Sequence, residues 1–446
     1  MEQSQSLDTL QSLIEKATKA GATAADAIYA QGDALSIQYR NGKLEQLERA
    51  EGNDIGLRVF VGKRQAVVSS SDFSESGLTD LAARAVSMAK VVPEDMFCGL
   101  ADSGQIVETF VDVDSFDPLV PTEAQLIEAV KECEQSGLAV QGITGSEGAS
   151  ASWGTSYVTL LASNGFVGKR RGSSWSLSTA LIAGKGTGME QDYDFSSAVY
   201  GQDLESASLL GKRAGEKTVK HLNPRRIPTT RAPVVFDPAV SSTLLGSFAA
   251  AINGAAIAKG TSFLRDAMGK PIFHEAIQII DDPHRKKGMR SKGFDAEGIG
   301  TEKRTIIKDG VLQSWILDLR SARQLKLKTT GNASRGPSSV PSPSVSNLYM
   351  NPGKIKPSDL IKSLDKALYV TDLMGHGVNG ITGDYSQGMR GYWIEKGEIA
   401  FPVSELTIAG NLKEMFATML PCNDLSFRYG IDAPTVLIEN MMIAGE

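Results

Sequence analysis

The spacing of apolar residues divides the chain into stretches of helical and of strand period. Leu7, Leu10, Leu13 and Ile14 recur at helical spacing across 4–20, with Glu15 and Lys19 one turn apart and Gly21 as a stop. They predict an amphipathic helix. The period then falls to two, with short apolar runs at 27–29, 35–40 and 44–49. Asn41-Gly42 separates the last two, and that pair suits the left-handed dihedrals of a type I′ hairpin turn. Further strands are expected at 55–60 and 65–69, then a second helix over 74–90. Ser74 is placed to cap it, with Leu78, Leu81, Ala82 and Val86 on one face.

Residues 93–121 are acidic and without period, which reads as a linker. A helix opening at Thr122 should end near Gly137, followed by Ser/Thr/Gly-rich alternation over 142–199, a meander, and another helix over 203–221. Pro233 to Pro238 reads as a buried strand running into a helix start. The next stretch, 240–258, carries no charge. Such length raises the question of a membrane span, but Ala, Ser, Gly and Asn are too weakly apolar to partition into lipid. Leu244, Leu245, Phe248 and Ile252 recur at helical spacing, so a buried helix is expected. Strands follow at 272–280, 300–307 and 311–318, with an Asp309-Gly310 turn. The Ser/Pro/Gly-rich tract 331–343 lacks core-forming residues and predicts a mobile loop or cleft lip. A short helix (358–367), a strand (368–372), a strand-to-helix passage (406–420) and an apolar strand (435–438) complete the chain. The expected class is α+β. It comprises an N-terminal helix–β-meander–helix domain (1–92), a linker (93–121), a central α+β segment (122–230) and a strand-rich C-terminal domain with one buried helix (231–446). No period of 20–50 residues marks a solenoid.

Composition narrows the classes. A chain of 446 residues can build two or three cores, and its 45 glycines tilt it towards strands and turns. With a net charge of −6 it offers no basic field for nucleic acid. The cluster His284 to Lys287 follows Asp281-Asp282-Pro283 and reads as a solvated turn. Cys98, Cys133 and Cys422 are odd in number and include no Cys-x-x-Cys pair, against a disulfide framework or a Cys-rich zinc site. The polar N-terminus carries no apolar signal core, so the compartment expected is the cytoplasm.

Chemistry concentrates in 371–403, where seven glycines interleave with His376, Asn379, Asp384, Tyr385, Arg390 and Trp393. Glycine at that density permits left-handed turns and close backbone approach, as in a site-lining loop. An irregular turn region without ligand has the same composition. The loop leads to a hairpin whose turn is Glu395-Lys396-Gly397-Glu398. Elsewhere, His274-Glu275-Ala276-Ile277-Gln278 falls one histidine short of HExxH and sits in strand-like alternation, so it predicts no zinc site. Gly184 to Gly188 lacks the ending of a phosphate loop.

The run TGDYSQGMRGYWIEKGEI (382–399) resembles the C-terminal signature of the PmbA (TldE) branch of the TldD/PmbA family. The tract TTGNASRGPSSVPSPSVSNLYMNPG and the N-terminal run GNDIGLRVFVGKRQAVVSSSDFSESGLTDLAARAVSMAK match that family too, so the resemblance spans essentially the whole chain. In the TldD branch the buried helix carries HExxxH after a Leu-Leu pair. From Leu244-Leu245, those positions fall on Gly246, Ser247 and Ala251, none of which binds metal. The turn 423–430 has no cysteine where TldD-type chains have one, and Cys422 is a poor match.

The resemblance therefore implies a PmbA/TldE-type subunit of a cytoplasmic metallopeptidase acting on unfolded or small peptides. Such a chain would hold no cofactor itself; zinc would reside in a TldD-type partner. The family's label "modulator of DNA gyrase" fits an indirect effect through such peptides. Asn332, Arg335, Asp384, Tyr385, Ser386 and Arg390 are the candidate peptide contacts. The alternatives are a non-catalytic homodimeric peptide-binding module, or a hydrolase using Asp384, Tyr385 or Ser386, for which no base–nucleophile pair is recognisable.

Overall fold

Two long hairpins organise the first half of the chain. In this computed structural model, which describes residues 3–375 and 377–445, β1 (Ala24–Arg40) and β2 (Lys43–Val61) run unbroken past Gly32 and Gly52. The sequence pattern splits each of them in two, because Gly interrupts the apolar alternation. Gly32 and Gly52 lie opposite each other in the ladder, so the flanking pairs carry them. The turn residues Asn41 (φ 49°) and Gly42 (φ 79°) adopt the left-handed pair expected of Asn-Gly. With β3 (Arg64–Ser70), β4 (Ile143–Ala162), β5 (Val167–Ala183) and β6 (Glu190–Ala198), they form one sheet in the order β3-β2-β1-β4-β5-β6. The N-terminal and central segments thus share a sheet, joined by antiparallel pairing of β1 with β4 from Asp26↔Ala162 to Tyr39↔Ala149.

One face of this sheet carries four helices. α1 (Gln3–Lys19) and α2 (Glu75–Val91) bury Leu10, Leu13 and Leu81 against Ile55, Leu57 and Val59. α3 (Glu123–Leu138) and α4 (Ala207–Lys220) cover Leu35, Ile37, Trp153 and Trp175 further along. The two helices cross closely at Gly211, where a Cβ would stand 1.9 Å from the Cys133 carbonyl oxygen. Ser74, Thr122 and Ser206 cap α2, α3 and α4 with their side chains.

The C-terminal half is built on a closed ring of five strands. β7 (Thr230–Phe236) pairs in parallel with Lys366–Met374 and antiparallel with Val436–Ala444. Lys366–Met374 pairs with Asp384–Glu395, and that strand pairs with Glu398–Asn411. Glu398–Asn411 returns to Val436–Ala444 through Ile408↔Ile443, which closes the ring. The fold is α+β, and the turn of its long hairpin falls at Lys396-Gly397, as the pattern predicts.

The uncharged stretch after β7 is helical and buried but not continuous. α5 (Pro238–Ala251) ends at Ile252, and α6 (Gly254–Lys259) starts anew. The break has a tertiary cause. The Ile252 carbonyl accepts from Ile316 N at 3.1 Å and Gly254 N donates to the Ile316 carbonyl at 2.8 Å, so an extended segment replaces one helical turn. Asn253 then caps α6 through Ala255 N. The expected strand at 272–280 shrinks to Ile279–Asp281, with turns before it. The strand expected at 311–318 is likewise reduced to Val311–Leu312, and a helix, Leu319–Leu325, follows, started by a capping box of Asp318 and Ser321.

The sheet face opposite the helices meets the C-terminal half through buried charge. Arg58 donates through Nε to Asp26 Oδ2 at 3.0 Å, and Arg335 Nη1 lies 2.6 Å from Asp26 Oδ1. Glu297 lies 3.9 Å from Arg58 and accepts from Leu319 N at 2.8 Å. Burial alone would raise the pKa of Asp26; the charges of Arg335 and Arg58 outweigh it and hold it low. The edge strand β6 forms a second seam, with Arg390 3.3 Å from Asp192 and Arg428 3.2 Å from Asp194.

Two outcomes test these assignments. Leu245 is 2 % exposed among Leu244, Phe248 and Phe416, so Leu245→Ala should cost about 2–5 kcal/mol, read as a lowered denaturant midpoint. An unchanged midpoint would show that α5 is not packed as described. Glu297 has a pKa raised to about 8 by burial and by the charge of Asp295. The native state therefore keeps a proton that the unfolded chain has released, and stability falls as pH rises from the ordinary carboxylate range towards 8. Glu297→Gln should flatten that decline in urea midpoints measured between the two ends of the window.

Candidate functional site

The glycine-rich loop folds back on the start of its own hairpin. Asn379 N donates to the Asp384 carbonyl at 2.8 Å, Gly383 N to the Asn379 carbonyl at 2.8 Å, and Ser386 N to the Gly377 carbonyl at 2.7 Å. Gly377 is required there, because a Cβ would meet the Ser386 carbonyl oxygen at 1.4 Å. The loop bounds a hollow of about 560 Å³ lined by Val378, Ile381, Asp384, Tyr385 and Ser386 among others. His376, expected in this loop, lies outside the described residues.

Asp384 is exposed and accepts from Thr382 Oγ1 at 2.6 Å and from Asn411 Nδ2 at 3.0 Å; these bonds hold its pKa below the ordinary range. Tyr385 is buried, and burial raises its pKa; its hydroxyl has no hydrogen-bond partner among the described residues. Ser386 is exposed beside it. The hollow therefore offers the Asp384 carboxylate and Ser386 at its surface, while the Tyr385 hydroxyl is buried beneath it.

This loop is tied to the C-terminal end of α5. Ser262 Oγ donates to the Ala251 carbonyl at 2.5 Å, and Phe263 N donates to the Gly380 carbonyl at 3.0 Å. On α5 itself, Gly246 has open space where a Cβ would point. Ser247 turns its hydroxyl back to the Thr243 carbonyl at 3.1 Å, and Ala251 is buried. These three residues do not fit a metal ion: a hydrogen, a tied hydroxyl and a buried methyl offer no ligand. Among the described residues, no three His, Cys, Asp or Glu side chains converge as a metal site. His274 Nδ1 accepts from Ala276 N at 3.1 Å, and Cys422 is buried behind the ring.

The other sequence candidates fall elsewhere. Arg390 lies six residues beyond Asp384 on the same strand, but it pairs with Asp192 and with Asp372 at 3.2 Å, tying the ring to β6. Asn332 and Arg335 are not on a mobile lip; they are 5 % and 8 % exposed. Asn332 donates to Asp281 Oδ2 at 2.9 Å, and Ala333 N donates to Asp295 Oδ2 at 3.0 Å. The tract lacks apolar side chains because its backbone and its polar groups are held by buried carboxylates, an arrangement that composition cannot distinguish from disorder. The basic turn is likewise engaged: Arg285 lies 3.6 Å over the Phe427 ring, and Lys287 donates to Asp203 at 2.9 Å.

Sequence reasoning missed the Asp26–Arg58 pair, although a signal was there. Each is a charge inside an apolar strand run, and such a charge needs a buried partner. It also missed a cleft of about 1050 Å³ between the sheet, the 110–116 segment and the 288–294 loop. Its lining comes from widely separated parts of the chain, so no local pattern announces it.

Comparison with known proteins agrees across the whole length. Residues 229–445 match the PmbA/TldA metallopeptidase C-terminal domain, 25–89 match domain 1 and 116–222 match the central domain. The chain is 34% identical over 414 residues to the metalloprotease PmbA of Escherichia coli O157:H7, covering 92% of this chain and 90% of that protein. A Bacteroides thetaiotaomicron crystal structure, described as that of a candidate modulator of DNA gyrase, superposes with a TM-score of 0.92 at 26% identity and complete coverage of both chains. TldE from Thermococcus kodakarensis shares the fold, with a TM-score of 0.87 at 20% identity over 98% of this chain and 100% of its own.

Removing the Arg335 guanidinium would leave Asp26 Oδ1 buried without its cation, with Arg58 still on Oδ2. Arg335→Ala should therefore destabilise the protein by about 3–5 kcal/mol. Thermal unfolding checks this, and an unaltered midpoint together with weakened peptide binding would return Arg335 to the role of a peptide contact.

Proposed function

The chain belongs to the PmbA/TldD family of metallopeptidases, and from that premise we propose that it is a PmbA/TldE-type subunit lacking its own zinc. Its partner would be a TldD-type chain in the cytoplasm, bearing the metal and the catalytic glutamate. The observation that carries this reading is the face of α5. A zinc peptidase needs a metal with an open coordination position and a carboxylate to move the proton of the attacking water. At the positions where the TldD branch is expected to carry those groups, this helix has Gly246, a tied-back Ser247 and Ala251.

What this chain supplies is surface. Beside α5 stands a loop folded on its own backbone hydrogen bonds, with an exposed Asp384 carboxylate and an exposed Ser386 at its surface. Such groups position a peptide by hydrogen bonds and do not cleave it; among the described residues no hydrogen bond joins the Ser386 hydroxyl to a base. Unfolded or small peptides are the substrate class this surface suits, since a main chain can reach its amides and carbonyls only when unpaired. No helix among the described residues is long and apolar enough to cross a membrane.

The test is reconstitution. The isolated chain should leave unfolded peptides intact, whereas mixing it with a TldD-type chain should give cleavage that a chelator abolishes. Replacing the partner's HExxxH glutamate should end turnover, while Asp384→Ala in this chain should raise KM more than it lowers kcat. Chelator-sensitive turnover by this chain alone, at the rate of the mixture, would overturn the assignment; failure of the two chains to associate would favour a homodimeric binding module.

A further inference from the structure

The large cleft carries a charge pattern at odds with the acidic chain around it. Where the C-terminal half stops covering the sheet, the exposed floor consists of residues with almost no side chain. Gly52, Gly32, Ser156 and Gly172 lie in one row across β2, β1, β4 and β5. Two residues along, Ala50, Ala34, Gly154 and Ser174 form the next row on the same face. A floor of this kind lets another main chain lie close against the sheet.

One wall of that trough is cationic. Arg170, opposite Val158 in the register, is on the same face as the two rows and projects into the cleft. It stays wetted, and no carboxylate pairs with it among the described residues. The surrounding walls desolvate it enough to lower its pKa. Lys292 and Arg290 border the same space from the facing loop. Lys292 has its pKa lowered by burial, a fall opposed by Asp295 and deepened by the charge of Arg170. Its ammonium makes one hydrogen bond, to the Ala333 carbonyl at 3.3 Å. Three carboxylates share the rim: Asp33 pairs with Arg49 at 2.9 Å, Asp114 accepts from the Tyr200 hydroxyl at 2.6 Å, and Asp112, open to water, lies 3.9 Å from Lys286.

Cations near one another in a walled space are stabilised by an anion, and cationic side chains outnumber carboxylates on this lining. We propose that this cleft is a second peptide-binding site, selective for carboxylate-bearing segments. An extended acidic peptide lies on the Gly/Ala/Ser floor and places a carboxylate between Arg170 and Lys292. The inference rests on the peptide reading above and adds the substrate class: peptides rich in Asp or Glu, engaged away from the α5 face.

Fluorescence anisotropy of the purified full chain tests it. The probes are a short labelled glycine–serine peptide carrying glutamates, its glutamine counterpart, and inorganic phosphate as competitor. The acidic peptide should bind about tenfold or more tighter than the glutamine peptide, as expected for charge-assisted hydrogen bonds. Arg170→Gln and Lys292→Gln should each erase that preference, and Arg170→Lys should keep part of it. Because Arg170 has no hydrogen-bond or ion-pair partner to lose among the described residues, its variants should melt with wild type, which separates lost binding from lost folding. Equal affinity for the two peptides, or a preference untouched by Arg170→Gln, would overturn the proposal. Displacement of the acidic peptide by phosphate at concentrations below those of the peptide itself would assign the cations to a phosphate ligand and also overturn it. Chelator-sensitive cleavage of a glutamate-free peptide with a TldD-type partner would persist in either case, so failure here is distinguishable from failure of the subunit assignment.

Discussion

The architecture depends on one cluster of buried charge: a pair formed within the sheet is completed by an arginine from the other half of the chain. Asp26 and Arg58 stand on β1 and β2, and the third member of the group, Arg335, arrives from the C-terminal half. Ionised groups out of water are tolerated only when paired and hydrogen-bonded, so the buried Arg335 is held to the place where Asp26 Oδ1 receives it. A purely apolar interface would permit sliding. This one has a single register, because a guanidinium displaced by one residue leaves a carboxylate stranded. The second seam, Asp192 with Arg390 and Asp194 with Arg428, fixes the far end of the same interface.

That docking also decides where open surface remains. The C-terminal half covers the sheet face at Asp26, Ile28 and Leu160 and stops short of Gly32 and Ser156. The exposed remainder is floored by Gly, Ala and Ser, and it becomes a cleft only because the 110–116 segment and the 288–294 loop rise beside it. The same half carries α5, which packs through Leu244, Leu245 and Phe248 and presents Thr243, Gly246 and Ser247 outward. Its buried face is that of a structural helix, while its outward face holds residues too small to do chemistry. Stability and function are thus separated on one helix.

The glycine-rich loop shows how density of glycine translates into geometry. Gly377 permits the Ser386 carbonyl to approach, and Gly383 takes φ +85° so that its own carbonyl can accept from Leu412 N at 2.7 Å. The result is a folded loop pinned to the strand end at Asn411. Rigid backbone groups near a helix terminus are the ordinary material of peptide recognition.

By itself the sequence determined the local grammar of this protein. Helical period, side-chain caps at Ser74 and Thr122, the Asn41-Gly42 and Lys396-Gly397 turns and the uncharged run after β7 are all dictated by neighbours within a few residues, and they reappear in the structure. The long motifs around Asp384 likewise identified the family. What tertiary structure alone decided are features set by distant partners. Ile316 breaks the helix at Ile252, the ladder carries β1 and β2 past Gly32 and Gly52, and buried carboxylates order the Ser/Pro/Gly tract around Asn332. Arg335 and Arg390 read as surface contacts because a lone arginine in a polar run looks solvated. Only the fold shows that Asp26 and Asp192 were waiting for them. Arg170 is the converse case: an arginine in an ordinary strand, given its unusual setting by walls that come from elsewhere in the chain.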